Sequence, residues 1–207
     1  QVNEILANID LELAKRVAQN LGLPAPTKGT VPPRKTSLKA SPALSQVNLL
    51  SGDIKTRKVA ILAANGVDGA AIDALKAALE AEGAHAKLLG PTSAPVTTAQ
   101  GKTLPVDASM EGMPSIAFDA VFIPGGKESV KALSGDGVAL HYVLEAYKHL
   151  KAIAVASDVK PLLDLLKLEA DAGLIVGADA NAFKAFFAAI AQHRVWEREP
   201  KSKAIPA

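Results

Sequence analysis

Apolar and polar positions along this chain follow two different periods in turn. Residues 58–64 form a short continuous apolar run closed by Asn65-Gly66, the pattern of a strand buried on both faces. Residues 68–82 then change to helical spacing through Ile72, Leu75 and Leu79, and Gly83 supplies the stop. The alternation repeats. Strands are predicted over 85–89, 119–123, 152–156 and 173–176, and helices over 138–149, 161–168 and 182–195. Residues 96–106 read as a hairpin turning at Gln100-Gly101, a surface flap. Strands alternating with helices of this length imply a parallel sheet covered on both faces, so the fold class is α/β and doubly wound, with no internal repeat.

The first 56 residues follow neither rhythm. Residues 1–23 carry two short helical signals, the second opening at Asp10 as N-cap with Glu12 in its first turn, Lys15 and Arg16 further on, and Gly22 as the stop. Leu13, Val17 and Leu21 recur at helical spacing beside Ala14 and Ala18, an apolar face that requires a partner surface. Residues 24–56 hold Pro24, Pro26, Pro32, Pro33 and Pro42 among Lys, Ser and Thr, the composition of an extended linker. Three segments are therefore expected: 1–23, 24–56 and 57–207.

Composition narrows the function classes. At 207 residues, 49% apolar and 21% charged, the chain has material for one full α/β core plus appended segments. Lys plus Arg number 23 against 21 Asp plus Glu, and the signs interleave, so no basic stripe offers itself to nucleic acid. No apolar stretch approaches the roughly 18 residues of a membrane-spanning helix. Without cysteine there are no disulfides, thiolate metal sites or thiol nucleophiles. The chain opens at Gln1 with neither a basic n-region nor an apolar h-region, and is expected to be a piece of a longer protein whose localisation signals would lie upstream; the compartment is left open, with the cytoplasm favoured.

Ligands of doubly wound sheets bind beyond the carboxyl ends of the strands, which directs attention to Asn65-Gly66-Val67-Asp68, Pro124-Gly125-Gly126 and Ser157-Asp158. Gly66 and Gly69 do not make G-x-G-x-x-G, so Gly66 reads as a tight turn and no dinucleotide site is expected. Gly126-Lys127 near Ser129 lacks the rest of a phosphate loop. Ser157 follows a strand and precedes a helix, the setting of a nucleophile elbow, yet the glycines of G-x-S-x-G are missing. No base can be assigned to it: Asp158 is adjacent, and His141, His149 and His193 fall on predicted helices. Ser157 is therefore expected to be a turn or capping serine. The alternative is a hydrolase or small-molecule site using Ser157, Asp68 and the Gly125 and Gly126 amides. The four histidines have no metal-ligand spacing, and Phe183, Phe186, Phe187 and Ile190 form a core face.

The sequence Ile123-Pro-Gly-Gly126, with Asp68 after the first strand and Val155-Ala-Ser-Asp158, resembles the class I glutamine amidotransferase-like superfamily, whose peptidase and deglycase branch places a cysteine where Ser157 stands. A closer resemblance covers nearly the whole chain. Val59-Ala-Ile-Leu62 with Gly66-Val-Asp68, Ala84-His-Ala-Lys-Leu-Leu89, Glu145-Ala-Tyr-Lys-His-Leu-Lys151, Ala191-Gln-His-Arg-Val-Trp196 and Ile205-Pro-Ala207 are similar to the C-terminal flavodoxin-like domain of large-subunit haem catalases. Residues 1–23, ending in Leu21-Gly-Leu-Pro24, resemble the last helices of the catalase core. The resemblance implies a parent homotetramer that dismutates hydrogen peroxide at a buried haem. It implies no haem ligand in this chain: Tyr142 and Tyr147 lack an arginine four residues before them, and no histidine sits in the distal motif. The implied role is structural, packing on the catalase core and its sister subunits, with unfolded protein a further expected partner of exposed apolar surface.

Overall fold

The computed structural model describes residues 2–31, 41–44 and 52–205, and the chain divides into two compact units, Gln1–Asn48 and Leu49–Ala207. Pro32 and Pro33 of the proline-rich stretch, and Pro206 and Ala207 at the end, lie outside the described residues.

In the first unit α1 (Val2–Ala7) is followed by α2 (Leu11–Asn20), which Asp10 caps by accepting from the Leu13 N–H at 3.0 Å. Ala14 and Ala18 are the buried face of α2, whereas Leu13 and Leu21 remain exposed. Small residues let the two helices approach; of the larger side chains predicted to need a partner, Val17 is partly buried and Leu13 and Leu21 stay exposed among the described residues.

The second unit consists of β1 (Lys58–Leu62), α3 (Gly69–Ala81), β2 (His85–Gly90), the hairpin β3 (Val96–Thr97) and β4 (Thr103–Leu104), β5 (Ala108–Ser109), β6 (Ala120–Ile123), α4 (Lys127–Ser134), α5 (Gly137–Lys148), β7 (Ala152–Val155), α6 (Lys160–Leu165), β8 (Leu174–Val176), α7 (Ala180–Ala191) and α8 (Glu199–Ser202). Six strands pair in parallel in the order β5-β2-β1-β6-β7-β8, while β3 and β4 pair antiparallel as the predicted flap. Setting the short β5 aside, the order is that of the flavodoxin-like fold. Spacing did not reveal α4 or β5, and the last predicted helix closes at Ala191, short of residue 195.

Alternation along each buried strand divides the core. Val59, Ile61, Ala120, Phe122, Ala152 and Ala154 face α3 and α7, with Leu75, Leu79, Phe183, Phe186 and Ile190. Ala60, Leu62, Val121, Ile123, Ile153 and Val155 face α4, α5 and α6, with Leu133, Val143, Tyr147 and Leu162. Helices on both faces explain why these strands read as unbroken apolar runs. Phe122 and Phe183 meet edge to face at 5.9 Å.

The C-terminal segment is held by a buried ion pair. The fully buried Arg198 donates from Nε and Nη2 to Asp171 at 2.7 and 2.8 Å, from Nη1 to the Lys151 carbonyl at 2.7 Å, and stacks over the Tyr147 ring at 4.0 Å. Burial pushes the Asp171 carboxyl up, but the bonds from Arg198 and the Gly173 amide outweigh it and hold it below the usual carboxylate range. A side chain on Gly173 would collide with Val195, so the pair is closed over without room to spare.

Candidate functional site

The strand order reverses between β1 and β6, so the crevice beyond their carboxyl ends is the switch point where such sheets bind ligands. The fold brings the three sequence-predicted turns together there. Asp68 donates its N–H to the Gly125 carbonyl at 2.8 Å, and the Gly126 N–H donates to Asp158 Oδ2 at 2.9 Å. Neither glycine tolerates a side chain: a Cβ on Gly125 would strike the Asp158 carboxylate, and one on Gly126, whose φ is 109°, would strike the Gly66 carbonyl.

Each group a hydrolase would use is committed elsewhere or stands apart. Asp68 Oδ1 caps α3, accepting from the Ala70 and Ala71 amides at 3.0 and 3.3 Å. The Gly126 amide, the natural oxyanion donor, carries the carboxylate of Asp158, the residue directly after Ser157. Ser157 is exposed in a 3₁₀ turn, and no described side chain hydrogen-bonds to its hydroxyl. His149 pairs with Glu145 at 3.6 Å, while His193 follows the end of α7 and meets Arg57, which precedes β1 at the opposite edge of the sheet. His85 opens β2, also at that opposite edge, and His141 lines a separate cavity with Tyr142.

The hairpin closes over the same crevice. Gly66 donates to the Thr97 carbonyl at 2.7 Å, Thr97 donates to Asn65 Oδ1 at 2.9 Å, and Ala99 donates to the Val67 carbonyl at 2.9 Å. A Cβ on Gly69 would lie 2.6 Å from Thr98 Cγ2. What remains is a shallow depression of about 410 Å³ between Asn65, Thr97, Lys127 and Glu128. Sequence reasoning met Ser129 only beside the incomplete phosphate loop and missed its role. Its buried hydroxyl accepts from the Ala64 N–H at 2.9 Å and fastens α4 to the end of β1, and its only signal was its place after the glycine pair.

Residues 55–200 match the family described as the C-terminal domain found in long catalases. The chain belongs to that family. It is 56% identical over its full length to Catalase HPII of Pseudomonas putida, 51% to Catalase HPII of Pseudomonas aeruginosa and 46% to Catalase-B of Dictyostelium discoideum. It spans only 29 to 30% of the length of these relatives.

Within this long-catalase domain neither tyrosine is placed as a haem ligand. Tyr142 donates to the Met113 carbonyl at 3.1 Å, and burial pushes its phenol above the ordinary value, against the ionised form an iron ligand requires. Tyr147 donates to the Glu169 carbonyl at 3.4 Å beneath Arg198, and burial raises it too. Among the described residues, no three His, Asp or Glu groups stand close enough together to hold a metal ion. No helix among them is long and apolar enough to cross a membrane.

Proposed function

We propose that this chain is the non-catalytic C-terminal accessory domain of a large-subunit catalase. Hydrogen peroxide dismutation and the haem belong to the rest of the parent protein. The domain packs against the catalase core and sister subunits of a homotetramer and lengthens the working life of the assembly. The observation that carries this reading is the end-to-end match to under a third of each catalase, joined to a switch-point crevice filled by the chain itself, with Asp158 on the Gly126 amide and the hairpin across the mouth. The chain alone is expected to show no Soret band on incubation with haem and no oxygen release from peroxide. Its turnover of an activated ester should equal that of Ser157→Ala. A peroxide-consuming preparation would overturn the proposal, and ester turnover lost in the alanine variant would give first place to a hydrolase centred on Ser157.

A second role rests on the exposed Ile5, Ile9, Leu13, Leu21 and Leu23 of the first unit. In a chain detached from its core these side chains hold unfolded protein weakly, as a chaperone-like surface. Light scattering of a heat-aggregating client, with the chain and with residues 1–56 removed, separates this from an inert segment: suppression is expected with the first only.

A further inference from the structure

We propose that the amino edge of the sheet, opposite the crevice described above, carries a binding site for a small oxyanion, built by Arg57, Arg194 and His193. Topology creates it. Arg57, Asp119 and Lys151 each stand one residue before a strand, and those strands, β1, β6 and β7, are neighbours in the sheet, so three charged side chains are set side by side. The turn after α7 lays His193 and Arg194 against them, anchored by the Val195 N–H on the Leu150 carbonyl at 2.7 Å.

The cations outnumber their counter-ions. Arg57 Nη1 donates to Asp119 Oδ1 at 3.0 Å, and Asp119 Oδ2 is already taken by the Lys58 N–H at 2.9 Å. Arg57 and Arg194 both approach His193 Nδ1 through Nη1, at 3.2 and 3.3 Å. Two donors aimed at one ring nitrogen make it an acceptor, which places the ring proton on Nε2 and leaves the imidazole neutral. Lys151 is buried and donates to the Ser115 carbonyl. Three cations thus face one carboxylate, with Glu145, turned toward His149, a more distant second. Among the described residues the Nε and Nη2 groups of Arg57 and Arg194 have no acceptor, although both side chains are half-buried. Two guanidinium groups that meet at one ring nitrogen, Arg194 also donating from Nη1 to the His193 carbonyl at 2.8 Å, and that each keep donors to spare suit the oxygens of phosphate or carboxylate. Burial first, and then the charge of Arg194 and, for His193, that of Arg57, hold His193 and Lys151 below their ordinary values.

Trp196, the single tryptophan, is exposed two residues from Arg194 and serves as reporter. The chain is titrated with inorganic phosphate, with acetate, and with chloride at matched ionic strength, following Trp196 fluorescence and heat. Saturable phosphate binding is expected, weakened about tenfold or more in Arg194→Gln and in Arg57→Gln and unchanged in Lys127→Gln at the opposite edge. Arg194→Gln keeps the Arg57–Asp119 pair, so it carries the test if Arg57→Gln unfolds. Phosphate preferred over acetate assigns a phosphate-type ligand, acetate preferred over phosphate assigns a carboxylate, and equal binding assigns an oxyanion site that accepts either. Chloride matching both, full binding retained in Arg194→Gln, or binding lost only in Lys127→Gln would overturn the site.

Discussion

Two buried cations show how much depends on a residue's partners. Arg198 spends its donors on Asp171 and two backbone carbonyls, and its face on Tyr147. Lys151, only 2% exposed, has the Ser115 carbonyl and a repelling Arg194 nearby, and burial with that repulsion lowers it to about 8. The folded lysine therefore gives up its proton while the unfolded one, near 10.4, still holds it. Stability is expected to rise as pH goes from 8 to about 10, because over that window the unfolded state binds more protons. Above about 10, Tyr142 and Tyr147 act in the opposite direction, since burial keeps their phenols protonated in the fold. Urea unfolding of Lys151→Met across this range checks the assignment: its midpoint should lose the rise.

At the scale of elements, the turns around the crevice hold the strand ends in place. Gly126 has a positive φ and a Cβ there would meet the Gly66 carbonyl, whereas Gly101, at the hairpin tip, has a φ of 83° with nothing within 4 Å. Both positions ask the same backbone freedom, and only one adds a collision. Gly101→Ala should cost about 1 kcal/mol, and Gly126→Ala about 2 kcal/mol more, from strain plus displacement of β1 and α3. Urea midpoints of the two variants measure the difference. Most of these elements were legible because their apolar spacing is regular; the structure adds Asp68, Asp136 and Asp179 as the caps of α3, α5 and α7. The exceptions have local causes. β5 is two residues long and pairs only with β2, and α4 mixes Lys, Glu and Ser over eight residues directly after a glycine in positive φ.

For the whole molecule, the proposed accessory role predicts a kinetic effect and leaves the chemistry alone. A parent catalase shortened to remove the part matching residues 57–207 should keep its haem spectrum and initial oxygen release, and lose activity faster at elevated temperature, because unfolding of the assembly loses the surface this domain covers. Equal inactivation half-lives with and without that part would count against a stabilising role. Both cores are packed from the domain's own strands and helices, so the effect is expected at its outer surface.

The amino-acid sequence alone determined the alternation of strand and helix, the parallel sheet, the flap at Gln100-Gly101, the lack of cysteine chemistry and the residues that resemble a long-catalase domain. Those are properties of neighbours along the chain, where period and capping act over a few residues. The tertiary structure alone decided that Asp158 occupies the Gly126 amide, 32 positions away, and that Arg57 meets His193 across 136. Parallel strands are joined by crossovers, so their order and register decide which ends become neighbours, and no local pattern in the sequence records that choice.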